Sequence, residues 1–150
     1  MLSSFNLKNK NIVITGASSG IGRACAVCCS QMGARLLLIG RQVEELEKTK
    51  LLLPEPGLAA VLAVDLTLFE EVTEEIKALL PEFGFIHGVI HAAGISTTLP
   101  FRNTSVDKMN HFLQVNVVAA LHLTRLLIRP GYVGQWCQHC FHHFCYVAGG

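Results

Sequence analysis

Across its 150 residues the chain has no apolar run approaching the ~18 residues that a membrane-crossing helix requires. Its opening stretch, MLSSFNLKNKN, has no apolar segment of the kind a secretory signal carries. There is no run of Lys or Arg, and the formal net charge is +1, which removes the electrostatic basis for gripping nucleic acid or an anionic membrane. No internal repeat or low-complexity tract interrupts the chain. These absences lead us to expect a soluble, cytoplasmic protein with no nucleic-acid partner and no membrane partner. Its six cysteines are then expected as reduced thiols rather than a disulfide framework. One absence is local. After Asn116 there is no Ser, Lys, Asp or Glu, and residues 131–150 carry no charge at all. A solvated surface needs charge, so residues 1–130 read as one folded unit and 131–150 as an aberrant tail that is not native-like.

What is present suits one domain with one core: 51% hydrophobic residues against 15% charged. NIVITG (Asn11–Gly16), RLLLIG (Arg35–Gly40), GLAAVLAVDL (Gly57–Leu66) and FIHGVIHAAG (Phe85–Gly94) read as buried strands. Helical patterns lie between and after them. In Gly20–Gly33 the residues Ile21, Cys25, Cys28, Cys29 and Met32 form the expected core face, and Gly33 is the stop. Gln42–Leu53 is amphipathic and ends at Pro54. In the third, Thr67 is expected to cap LFEEVTEEIKALL, with Pro81 just beyond its end. Thr104–Ile128 gives one long pattern stopped by Pro130. The order βαβαβαβα, with strands apolar throughout, predicts an α/β fold: a Rossmann-like, doubly wound parallel sheet of four strands, incomplete and flanked by helices.

The first strand runs straight into TGASSGIG (Thr15–Gly22). Gly16, Gly20 and Gly22 allow a sharp turn and close approach of backbone N–H groups to a pyrophosphate. The helix opening near Ile21 aims its positive end at the same place, and Ser18 and Ser19 add hydroxyls. With this spacing the chain resembles the short-chain dehydrogenase/reductase family. Asp65, followed by Leu66, resembles that family's adenine-contacting Asp. His91-Ala92-Ala93-Gly94 resembles its N-N-A-G loop, with His91 and Ala92 where the family often has two Asn. Asn116 resembles the Asn of its catalytic tetrad. The resemblance implies a nicotinamide cofactor, a small carbonyl or alcohol as substrate, and a homo-oligomer for an intact member.

An NAD-binding site usually ends its second strand with an acid that accepts from the ribose 2′-OH. Here Arg41 follows Gly40 and no acid occupies the position. A guanidinium suits a 2′-phosphate, so NADP is expected, with NAD as the alternative; Glu44 and Glu45 stand near enough to neutralise the Arg.

In the resembling family a Tyr is the general acid or base, a Lys four residues on lowers its pKa, and a Ser polarises the carbonyl. No Ser or Lys follows Asn116, and the last Lys is Lys108, so Tyr132 and Tyr146 belong to no Y-x3-K motif. Of the tetrad only Asn116 is here, and hydride transfer is not expected from it alone. Where the Ser-ending fifth strand is due stands QWCQHCFHHFC (Gln135–Cys145). One reading is a zinc or redox site on Cys137, His139, Cys140, His142 and His143, with Cys25-x2-Cys28 as a further pair. Against it, no Gly or Pro turns the segment between Trp136 and Tyr146. The favoured reading is a changed frame. Read one base later, these codons permit SGVSIVFITSA, which resembles the family strand G-S-I-V-x-I-S-S. A genuine tail of other purpose is the third. The functional alternatives are an oxidoreductase by descent, inactive in this form, a non-catalytic NADP-binding module, or a zinc or redox protein.

Overall fold

The computed structural model describes residues 6–96, 98 and 100–132, together with the backbone of a two-residue strand at 145–146. The first four strands along the chain are β1 (Asn11–Thr15), β2 (Arg35–Gly40), β3 (Ala59–Ala63) and β4 (Gly88–His91). Their pairing is parallel, in the order β3-β2-β1-β4, and β5 (Cys145–Tyr146) follows at the β4 side. Ile90 pairs with Cys145 and His91 with Tyr146, so this edge of β4 is partly paired. The turn after the last helix also reaches this edge, where Ile86 N–H donates to Tyr132 O at 2.9 Å.

Successive residues of the central strands feed opposite faces, which explains why no polar alternation shows in their sequence. Val13, Leu37 and Ile39 join one core with Val72, Ile76, Leu80 and Phe83 of α3 (Phe69–Phe83) and Leu123, Leu126 and Leu127 of α5 (Ala119–Leu127). Ile12, Ile14, Leu36 and Leu38 join the other, with Ala26 and Cys29 of α1 (Gly20–Gln31) and Leu46 of α2 (Val43–Leu51). Burial of each such large side chain contributes ~1.5–3 kcal/mol. The sheet is therefore covered on both faces, as a doubly wound fold requires.

Three local expectations change. The core face of α1 is Gly22, Ala26, Cys29 and Ser30, while Ile21 is 42% exposed and Cys28 is exposed. Small residues bring α1 close to the sheet, and the larger side chains turn outward. Thr67 does not cap α3: its hydroxyl donates to Asp65 Oδ1, and the helix starts at Phe69 with no side-chain cap. Pro81 lies inside α3, which runs on to Phe83. The extra turn buries Leu80 and Phe83, and Asn11 and Arg35 donate to the carbonyl of Phe83 at 3.0 and 2.9 Å. Those contacts offset the hydrogen bond the Pro cannot make.

The long pattern after residue 104 is one continuous rod in three parts: α4 (Val106–Leu113), a π turn (Gln114–Val118) and α5. Ser105 starts it by accepting from Lys108 N–H at 3.3 Å. The π turn widens the helix by one residue per turn at Asn116. No helix of the described residues is long and apolar enough to cross a membrane.

Candidate functional site

The carboxyl ends of β1, β2, β3 and β4 open into a cleft of ≈ 370 Å³, the place where an open α/β sheet offers a ligand site. Gly16, Ser18, Ser19, Gly20, Ile21 and Gly22 line it from the loop and the start of α1. Two of these glycines are required by shape. Gly16 has φ +64, and a Cβ on it would lie 2.7 Å from the backbone of Ala92 and Ala93. A Cβ on Gly22 would overlap the carbonyl oxygen of Gly16. The loop after β1, the loop after β4 and the first turn of α1 are thus packed backbone to backbone. The Ser19 side chain makes no cap hydrogen bond, and α1 presents its first N–H groups here.

Thr15 supports this wall rather than lining it. It is buried, and its Oγ1 accepts from Ala93 N–H at 3.2 Å. Ala92, Ala93 and Gly94 line the cleft, whereas His91 is 6% exposed and turned toward α5. Its Nε2 lies 3.0 Å from Thr124 Oγ1. The Thr124 hydroxyl proton goes to Ala120 O at 2.8 Å, so His91 Nε2 is the donor in that pair. Burial pushes the His91 pKa down, which keeps the ring neutral.

Asn116 also works from behind. Its Oδ1 accepts from Ile95 N–H at 2.8 Å and its Nδ2 donates to Ile95 O at 2.9 Å. The amide thereby fastens the loop carrying Ala92–Gly94 to the π turn, and a Cβ on Gly94 would stand 3.2 Å from Asn116 Oδ1.

On the far wall stand Arg41, Asp65 and Leu66. Asp65 Oδ1 accepts from Thr67 N–H at 2.9 Å and from Thr67 Oγ1 at 2.7 Å. These bonds hold the Asp65 carboxyl below the usual carboxylate range, with smaller help from the charges of Arg41 and His111 and against the effect of burial. Its second oxygen has no hydrogen bond among the described residues. Glu45 does not neutralise Arg41, because both its oxygens are engaged: Oε2 with Arg23 at 2.9 Å and Oε1 with Lys48 at 2.6 Å.

Gly40, Val64, Thr67, Ile95, His111 and Val115 also line the cleft and were not picked out from the sequence. Thr67 had a signal, since Asp-x-Thr after a strand suits a side chain that bonds two residues on. His111 and Val115 lie four apart on the helix that carries Asn116. Among the described residues no group of three or more His, Cys, Asp or Glu could hold a metal. Of the Cys137–Cys145 cluster only the backbone of Cys145 is among the described residues.

The cleft fits a dinucleotide on its own chemistry: a loop in which Gly16 and Gly22 have no room for a side chain, free backbone donors at a helix start, and on the far wall an ionised Asp and a cation. The family model for short chain dehydrogenases matches residues 10–134. An uncharacterised oxidoreductase of Staphylococcus epidermidis is 35% identical over 117 residues, 78% of this chain and 50% of that protein. One from Listeria monocytogenes is 31% identical over 134 residues, covering 89% and 54%. A citronellol catabolism dehydrogenase of Pseudomonas aeruginosa superposes with a TM-score of 0.74 at 32% identity, covering 82% of this chain and 51% of that one. A short chain dehydrogenase of Bacillus anthracis gives 0.75 at 27% identity, covering 81% and 49%. The chain spans about half the length of the curated relatives it matches.

Proposed function

Because the chain belongs to the short-chain dehydrogenase family, we propose that its cleft binds NADP, as the cofactor-holding part of an oxidoreductase acting on a small carbonyl or alcohol. NADP supplies the hydride donor or acceptor of such a reaction. The observation that carries the choice of NADP is Arg41, on the cleft wall straight after β2, with Glu45 diverted to Arg23 and Lys48. A guanidinium there supplies charge-assisted donors to a 2′-phosphate, where an acid would have been needed for the 2′-OH of NAD. The loop from Gly16 to Gly22 holds the pyrophosphate, and Asp65 accepts from the adenine amine. The setting is cytoplasmic, with no nucleic acid or membrane among its partners, and an intact member would assemble as a homo-oligomer.

This chain holds the cofactor without turning it over. No Ser or Lys follows Asn116 in the sequence, and the Asn116 amide is occupied at both ends by Ile95. In the same reading, residues 131–150 are the fifth-strand codons out of frame; coding DNA that gave S and then Y-x3-K in the next frame would establish it. The cofactor claim is tested with purified chain and Arg41→Ala. NADPH should bind about 10-fold tighter than NADH, the worth of one charged hydrogen bond, and Arg41→Ala should erase the difference. Equal affinities in the unaltered chain, or NADPH oxidation by any carbonyl above the protein-free rate, would overturn the respective half of the proposal.

A further inference from the structure

Behind the phosphate-facing loop lies a set of bonds that the cofactor reading does not use. Thr49 is fully buried on α2, yet its hydroxyl serves the loop. Oγ1 donates to Ala17 O at 2.8 Å and lies 3.1 Å from Glu45 O. It accepts from Arg23 Nε at 2.9 Å. The same guanidinium donates through Nη2 to Ser18 O and to Glu45 Oε2. Ala17 is held from the other side as well, its N–H donating to Ile39 O at 3.2 Å. Two consecutive carbonyls of the loop are therefore fixed, Ala17 O by Thr49 of α2 and Ser18 O by Arg23 of α1.

A trans peptide is planar, and its N–H points opposite to its C=O. Fixing the Ala17 carbonyl on Thr49 aims the Ser18 N–H the other way, and fixing the Ser18 carbonyl on Arg23 does the same for the Ser19 N–H. Ser18 and Ser19 line the cleft, and neither N–H has an acceptor among the described residues. Paired donors left bare at a helix start form an anion-binding concavity. The Arg23 charge is matched by Glu45, which in turn takes Lys48, so Arg23 acts here as a brace and leaves Arg41 as the cleft's cation.

We propose that Thr49 and Arg23 are positioning residues that orient the Ser18 and Ser19 N–H groups toward the phosphates of the ligand. This rests on the reading of the cleft as an NADP site. It predicts a loss confined to phosphate-bearing ligands. The test titrates the full 150-residue chain with 2′,5′-ADP and with adenosine, followed by NMR shifts. Thr49→Val keeps the shape and removes the hydroxyl; it should weaken 2′,5′-ADP about 10-fold and leave adenosine within about 2-fold. Thr49→Ser should restore the affinity. Arg23→Gln should repeat the Thr49→Val pattern and carries the test if the Val variant does not fold. Unchanged 2′,5′-ADP binding in the Val and Gln variants, or an equal loss for adenosine, would overturn the positioning role. Failure of the unaltered chain to bind 2′,5′-ADP would instead overturn the cofactor reading on which the role depends.

Discussion

Removing the Asn116 side chain should loosen the loop after β4 far more than it harms the helix that carries Asn116. In Asn116→Ala two hydrogen bonds disappear, of 2.8 and 2.9 Å, both to the backbone of half-buried Ile95. Each contributes ~0.5–1.5 kcal/mol net, so the loop should lose ~1–3 kcal/mol of local stability. Alanine is the best helix former, and the exchange itself costs the rod nothing. The readout is amide hydrogen exchange at Ile95. Its N–H is held by Asn116 Oδ1, so exchange should speed up by about 5- to 150-fold, with ~1.4 kcal/mol per factor of ten. Ligand affinity should fall too, because Ala92, Ala93 and Gly94 form one wall of the cleft. An Ile95 amide that exchanges at the same rate in both proteins would refute the fastening role given to Asn116.

Other consequences follow from the same contacts. Gly22→Ala drives a Cβ into the Gly16 carbonyl, and should cost ~1–3 kcal/mol and abolish NADPH binding, read by thermal unfolding and fluorescence titration. Burial lowers the pKa of His91, and burial with the nearby Lys10 charge lowers that of His87. The unfolded chain then binds more protons than the folded one as pH drops through the ordinary value of 6.5, so stability should be full above that pH and decline below it. Denaturation midpoints from pH 8 to 5 check this, and a flat profile would contradict it. Burial, with Cys28 and Cys25 beside it, pushes the Cys29 thiol up to about 11. Iodoacetamide at pH 8 should therefore label exposed Cys28 and spare Cys29, as peptide mass spectrometry would show. Phe83→Ala should cost ~3–5 kcal/mol in urea unfolding, since it empties a fully buried site.

Sequence and structure agree best where one physical pattern determines the outcome. Strands buried on both faces must be apolar throughout, and RLLLIG could be little else. The glycine loop was legible because its three glycines stand between a strand and a helix. The face of α1 was read in part, with Cys29 buried in the core and Cys25 packed against it as expected, and the rest was missed for an equally physical reason. Close packing selects Gly22 and Ala26 for smallness, and a hydrophobic pattern gives more weight to Ile21 and Met32. The π turn at Asn116 leaves no mark in the spacing of apolar residues, since one extra residue in a turn merely rotates the stripe. Thr49 and Arg23 were out of reach because the bond between them spans 26 residues and answers no local periodicity. Arg41 was read from position alone; what the sequence did not reveal is that Glu45 is held elsewhere.

The most direct test of the central claim is calorimetric titration of the 150-residue chain with NADPH and with NADH at matched ionic strength. The account predicts one site per chain and about tenfold tighter binding of the 2′-phosphorylated cofactor, a margin that narrows as salt is raised. Binding of neither cofactor, or of both with equal affinity at low salt, would contradict it.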